Sequence, residues 1–237
     1  MKNCLILTVV LTLTGCASSP QDFYELPAGL SQITDASVLA CQFDKQVTTA
    51  KDKQQSHWYL WRAPMRMETR DELTQQGELW ERNNQAQMFY TKLFFNEKTI
   101  VEFVPGDLAA LGKSPSWPQL HSLIDPAVLG KRLLLTQEQR IGDTQVQHYR
   151  GKLQQAEIEL AWLPNMQLPL RLWKKMPEEE LVLTLKTCAQ TLPVQPISQT
   201  ELSQFRHLDY TDFGDMEDDP LVKRLEMLIG EHQHSGH

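Results

Sequence analysis

The sequence lacks the marks of the common catalytic machineries. It holds no Gly-x-Ser-x-Gly elbow, no His-Glu-x-x-His pair, no phosphate loop and no dinucleotide fingerprint. Cysteine is scarce, with four in 237 residues, none in a Cys-x-x-Cys and none beside a histidine, which argues against thiol chemistry. The apolar run at 4–13 is too short to span a bilayer as a folded helix. Basic side chains are outnumbered, 23 against 30 acids, and a surface of that sign repels nucleic acid and anionic headgroups.

That short apolar run follows Lys2 and ends in small residues, the pattern of a cleaved secretory signal over residues 1–15. Leu13-Thr14-Gly15-Cys16 is similar to the lipobox of bacterial lipoproteins. The resemblance implies that Cys16 is the lipid-bearing first residue of the mature chain, held in the membrane by acyl chains such as palmitate. In that family Ala17 after the cysteine implies delivery to the outer membrane, facing the periplasm. Losing the signal removes one base and no acid, leaving 22 basic residues, 30 acidic ones and a net charge of −8. Membrane contact is then expected through the lipid and not through a basic patch.

Two cysteines remain in the body, Cys41 and Cys188. In an oxidising compartment such a lone pair is expected to form a structural disulfide, and two separate buried thiols are the alternative. Residues 16–34 read as a tether, rich in Ser, Pro and Gln. Asp35 is placed to cap a short helix over 36–47, so the bridge would join an early helix to the last strand. Residues 51–55 read as a loop.

From His57 onward the periodicity is that of strands. Residues 57–62 are followed by Pro64 and a resumed strand at 65–69, then by strands at 79–82, 87–95 and 99–104. Trp58, Tyr59, Leu60 and Trp61 stand in succession, and Met88, Tyr90 and Phe94 oppose Phe89, Leu93 and Phe95. Large apolar residues on both faces require both faces to be covered, by helices or by an enclosed cavity. Residues 105–131 interrupt the strands with two helix starts, Ser116-Trp117-Pro118 and Asp125-Pro126, suited to plugging one mouth of a curved sheet. The clearest strands lie in 142–186. Ala156, Ile158, Leu160 and Trp162 alternate with Gln155, Glu157, Glu159 and Ala161, flanked by runs at 144–150, 168–173 and 180–186.

Gly142-Asp143-Thr144 leading to His148-Tyr149-Arg150-Gly151, then 158–163, then Leu168-Pro169-Leu170-Arg171-Leu172, resembles the repeated run of the LolA/LolB-like periplasmic proteins. The resemblance implies a mainly β (α+β) fold, a curved antiparallel sheet or open half-barrel with short helices plugging one side. It places that domain at 35–190. It also implies a lipophilic cavity, for which Trp58, Leu60, Trp61, Trp80, Phe89, Leu93 and Trp162 are the candidate lining.

Residues 191–237 read as a linker, an acidic segment at 209–220 and a partly disordered tail, with short helices at 198–201 and 221–229. The acids lack the spacing of a calcium loop, and His232, His234 and His237 offer no fixed geometry, so no metal site is assigned and no cofactor is expected, with copper or zinc binding by this acidic and His-containing tail as a minor alternative function. His57, His121 and His148 read as packing or surface imidazoles, and no catalytic residue is assigned. The expectation is a non-enzymatic, lipid-anchored lipoprotein binding a lipid or other apolar ligand. The rival is an interaction protein with a solid core that docks an envelope protein.

Overall fold

The computed structural model describes residues 26–27, 29–113, 115–216 and 218–235. The expected signal peptide, Cys16, most of the tether and the side chains of His232, His234 and His237 lie outside the described residues. Alternating sequence from Leu39 onward produces one sheet of twelve strands. They are β1 (Leu39–Thr49), β2 (Lys53–Ala63), β3 (Arg66–Asp71), β4 (Gln76–Arg82), β5 (Met88–Phe94) and β6 (Thr99–Phe103), then β7 (Leu133–Ile141), β8 (Thr144–Leu153), β9 (Ala156–Leu163), β10 (Leu168–Lys175), β11 (Glu179–Ala189) and β12 (Arg206–Asp209). Their order is β12-β6-β5-β4-β3-β2-β1-β11-β10-β9-β8-β7, a curved open sheet that does not close into a barrel. All neighbours are antiparallel except β12, which runs parallel to β6. Short helices α1 (Pro105–Ala110), α2 (Trp117–Ser122) and α3 (Gln199–Leu202) and the longer α4 (Pro220–Ser235) complete the fold.

The helix expected over 36–47 is a strand. Leu39, Cys41 and Phe43 are buried at alternate positions of β1, and the strand is paired on both sides, to β2 and to β11. An isolated capping signal at Asp35 cannot outweigh two ladders of backbone hydrogen bonds. Asp35 accepts from the N–H of Ser37 in a tight turn that leads into the strand. Cys41 and Cys188 do form a disulfide, and it joins directly opposed residues of adjacent strands. The expected loop at 51–55 is shorter than read, since β2 already begins at Lys53.

Pro169 sits inside β10, where a central strand would ordinarily lose a ladder bond, and the register shifts there between Pro169 and Arg171. Gly151 on β8 is required by contact: a Cβ there would lie 2.3 Å from the carbonyl oxygen of Arg132. The core lies on the inner face of the sheet, where Phe43, Leu60, Leu133, Leu160 and Leu170 meet Leu108 of α1 and Val222, Leu225 and Ile229 of α4 in one cluster.

Candidate functional site

Strand parity decides where the proposed cavity residues go. Trp58 and Leu60 of β2, Trp80 of β4 and Trp162 of β9 point to the inner face and join its cluster. Trp80 stacks on Tyr90 at 4.5 Å, Tyr90 meets Phe103 at 5.0 Å, and Phe103 stacks on Tyr210 at 4.6 Å. Aromatic rings thus run unbroken from β4 into the turn at Tyr210–Met216. Trp61 and Leu93 point the other way. Trp61 packs with Ala40, Tyr59 and Leu192, and Leu93 with Leu79, Ile100, Ile197 and Leu202. Phe89, also outward, is 38% exposed. The seven candidates are therefore split between two faces and do not form one lining.

The inner face also carries paired charges. Lys45 on β1 donates to Asp71 on β3 at 2.7 Å, and the hydroxyl of Ser56 donates to the same carboxylate at 3.3 Å. Burial pushes the Asp71 carboxyl up, but Lys45 and the N–H groups of Leu73 and Thr74 outweigh it and leave it below the usual range. Lys92 lies 3.6 Å from Glu78, to which the Tyr90 hydroxyl donates at 3.3 Å. Burial lowers the Lys92 pKa and raises that of Tyr90 well above normal.

Arg62, at the end of β2, ties the plug to the sheet. Its guanidinium donates to the carbonyls of His121 on α2 and Met166 in the β9–β10 turn, each at 2.8 Å, and to Ala36 ahead of β1. Burial without a carboxylate in hydrogen-bond contact pulls its pKa down to about 10. Beside it the His121 ring meets Trp117 at a tilt, centroids 4.6 Å apart, and Arg82 lies over the same indole at 4.9 Å. Burial, then the charges of Arg62 and Arg82, hold His121 down at about 4, so its ring is neutral. His57 pairs with Asp44 at 3.2 Å on the surface. Neither histidine is joined to a nucleophile.

The outer face is covered by a strap, residues 190–205, whose anchor the sequence reading missed. Glu68 on β3 has 0% of its side chain exposed and receives Arg66 at 3.2 Å and Arg70 at 2.9 Å. Both its oxygens accept from the backbone N–H of Ile197 at 3.0 Å, while Arg66 donates to the Ile197 carbonyl at 2.7 Å. The Trp61 indole donates to the carbonyl of Val194 at 3.3 Å. Desolvation raises the Glu68 pKa against the opposing pull of these donors. The available signal was the Arg66-x-Glu68-x-Arg70 alternation, charge facing outward at positions where a covered strand needs a partner.

Beyond the strap, the outer face of β11, β1 and β2 holds a groove of about 680 Å³. Asp44, Gln46, Gln55, His57, Val182 and Thr184 line it from the outer face, and Lys45, Ser56, Glu72 and Leu73 complete the lining. Among the described residues no cluster of three or more His, Cys, Asp or Glu is placed to hold a metal. No helix among them is long and apolar enough to cross a membrane.

No family model matches the chain, and no curated protein matches it in sequence. Among solved structures the chain is similar to PNGF-II, at 13% identity and a TM-score of 0.42, covering 76% of this chain and 33% of that one. It is also similar to a DUF1329 family protein from Desulfovibrio piger, at 7% identity and a TM-score of 0.37, with 70% and 90% covered. A third is a domain from Vibrio parahaemolyticus described as belonging to an outer membrane lipoprotein-sorting protein, at 7% identity and a TM-score of 0.32, with 70% and 90% covered. The chain spans about a third of the length of the first structures it matches. At these scores the likenesses carry no argument, and the fold rests on its own strand order.

Proposed function

We propose that the chain is a periplasm-facing outer-membrane lipoprotein, anchored by acyl chains on Cys16, with a LolA/LolB-like half-barrel that docks a protein partner, neither carries a lipid nor performs catalysis. One observation carries the reading: the C-terminal segment covers both faces of the sheet. Its strap buries Trp61 and Leu93 on the outer face, and α4 delivers Val222, Leu225 and Ile229 to the core of the inner one. The excess of large apolar residues that called for a ligand is thereby matched by the chain's own side chains. Ion pairs at Lys45–Asp71 and Lys92–Glu78 on the inner face suit an acyl chain poorly, since apolar contact does not replace their hydration.

The surface offered for docking is the edge strand β7, last in the sheet order, where Leu134 and Leu135 stand 62% and 46% exposed. An unpaired edge with apolar side chains is a template for another chain's strand. The test is titration of the mature chain without residues 1–16 with a fluorescent fatty acid. The expected outcome is no saturable binding, whereas one saturable micromolar site would return the carrier reading.

A further inference from the structure

The outer-face groove presents a chemistry that docking at β7 does not use. Two transverse rows cross it, fixed by register. One runs Trp173 on β10, Val182 on β11, Gln46 on β1 and Gln55 on β2; the other runs Arg171, Thr184, Asp44 and His57 on the same four strands. Trp173 and Arg171 stand on the strand flanking the groove, on the same face and about 7 Å apart along it. Trp173 is half-buried, and Arg171 has no hydrogen-bond or ion-pair partner among the described residues. Elsewhere on the outer face Arg150 pairs with Glu159 at 2.8 Å and Lys152 with Glu157 at 3.1 Å, whereas the half-buried Arg171 guanidinium is left to meet an acceptor from outside the chain.

The groove's own polar groups are arranged side by side. Gln55 donates to the Gln46 oxygen at 3.1 Å, which leaves the Gln46 NH2 group, the second Gln55 N–H and the Gln55 oxygen for further partners. Asp44, which lines the groove, lies 3.2 Å from His57 and 3.4 Å from Lys186, whose ammonium meets its charge. The volume falls within the roughly 300–1,000 Å³ of small-ligand sites, yet the lining is mixed amide, hydroxyl, imidazole, carboxylate and the Lys45 ammonium, with few apolar side chains. Amide, hydroxyl and carboxylate groups with an indole on the adjacent strand match a polyhydroxylated ring, whose hydroxyls each donate and accept and whose C–H face packs on an aromatic.

We infer that this groove binds a short oligosaccharide carrying a carboxylate. The sugar ring packs on Trp173, its hydroxyls bond to Gln46, Gln55 and Asp44, and its carboxylate pairs bidentately with Arg171. The assignment goes beyond docking and holds whether or not a protein binds at β7.

The test is calorimetric titration of the mature chain with tetragalacturonate and, separately, with the neutral maltotetraose. Saturable binding of tetragalacturonate is expected, with maltotetraose weaker by about tenfold or more, the scale of one charge-assisted pair. Trp173→Ala should weaken both sugars by about tenfold, and Arg171→Gln should remove the difference between them. Melting curves matching the parent establish that each variant is folded. Equal affinity for the two sugars in the parent would overturn the carboxylate assignment. No saturable binding of either, or binding indifferent to both substitutions, would overturn the site.

Discussion

Glu68 and His121 are the single residues on which the covering segments turn. Glu68 holds a backbone N–H and two guanidinium groups, so Glu68→Ala leaves Arg66 and Arg70 without their carboxylate beneath the strap. Removing one partner of such a cluster costs about 3–5 kcal/mol, and urea unfolding should show it, with hydrogen exchange rising first around Ile197. A loss under 1 kcal/mol, about the worth of an exposed pair, would mean that the cluster does not hold the strap. His121 makes stability depend on pH in a definite direction. Its folded pKa of about 4 lies below the ordinary 6.5, so the unfolded chain binds the proton first as pH falls. The stability it contributes is whole above pH 6.5 and lost as pH drops through the window to about 4. His121→Phe should flatten that part of the urea-midpoint profile, and an unchanged slope would remove the residue from the account.

At the level of elements, the seam between β1 and β11 joins the first and last long strands of the domain. The Cys41–Cys188 bridge closes a separation of 147 residues, worth about 5 kcal/mol in the chain-entropy description. Reduction, or Cys41→Ser with Cys188→Ser, should lower the melting temperature while leaving the far-UV spectrum of a β protein. α4 belongs to the core by the same reasoning, and Leu225→Ala should cost about 2–5 kcal/mol, as a fully buried leucine does. A solvated tail would lose nothing. The sequence showed most of these elements, because period-two alternation is unmistakable where one face is buried, as at 156–163. It misled at 36–47, where Asp35 looked like a helix cap and the ladders that decide the matter come from residues 53–63 and 179–189. It was silent at β7, whose residues from Leu134 to Gln139 are mostly exposed and polar, so edge pairing leaves no apolar period to read.

For the molecule as a whole, the fold class was legible and the ownership of its faces was not. Trp58 to Trp61 showed that both faces of β2 need cover, but no local pattern says whether a ligand or a remote segment supplies it. The cover comes from residues more than a hundred positions away, such as Leu192 and Leu225, contacts that periodicity cannot reach. The candidate site suffered in the same way. Gln46, Gln55 and Thr184 lie on three strands and share a groove only through register. The central claim is that the sheet is filled and covered by its own chain. Native mass spectrometry of the domain lacking residues 1–16, recovered from its own periplasm and subjected to lipid extraction, tests it most directly. The predicted result is the bare polypeptide mass with no extractable lipid. A stoichiometric adduct of acyl-chain mass, released by extraction, would contradict it.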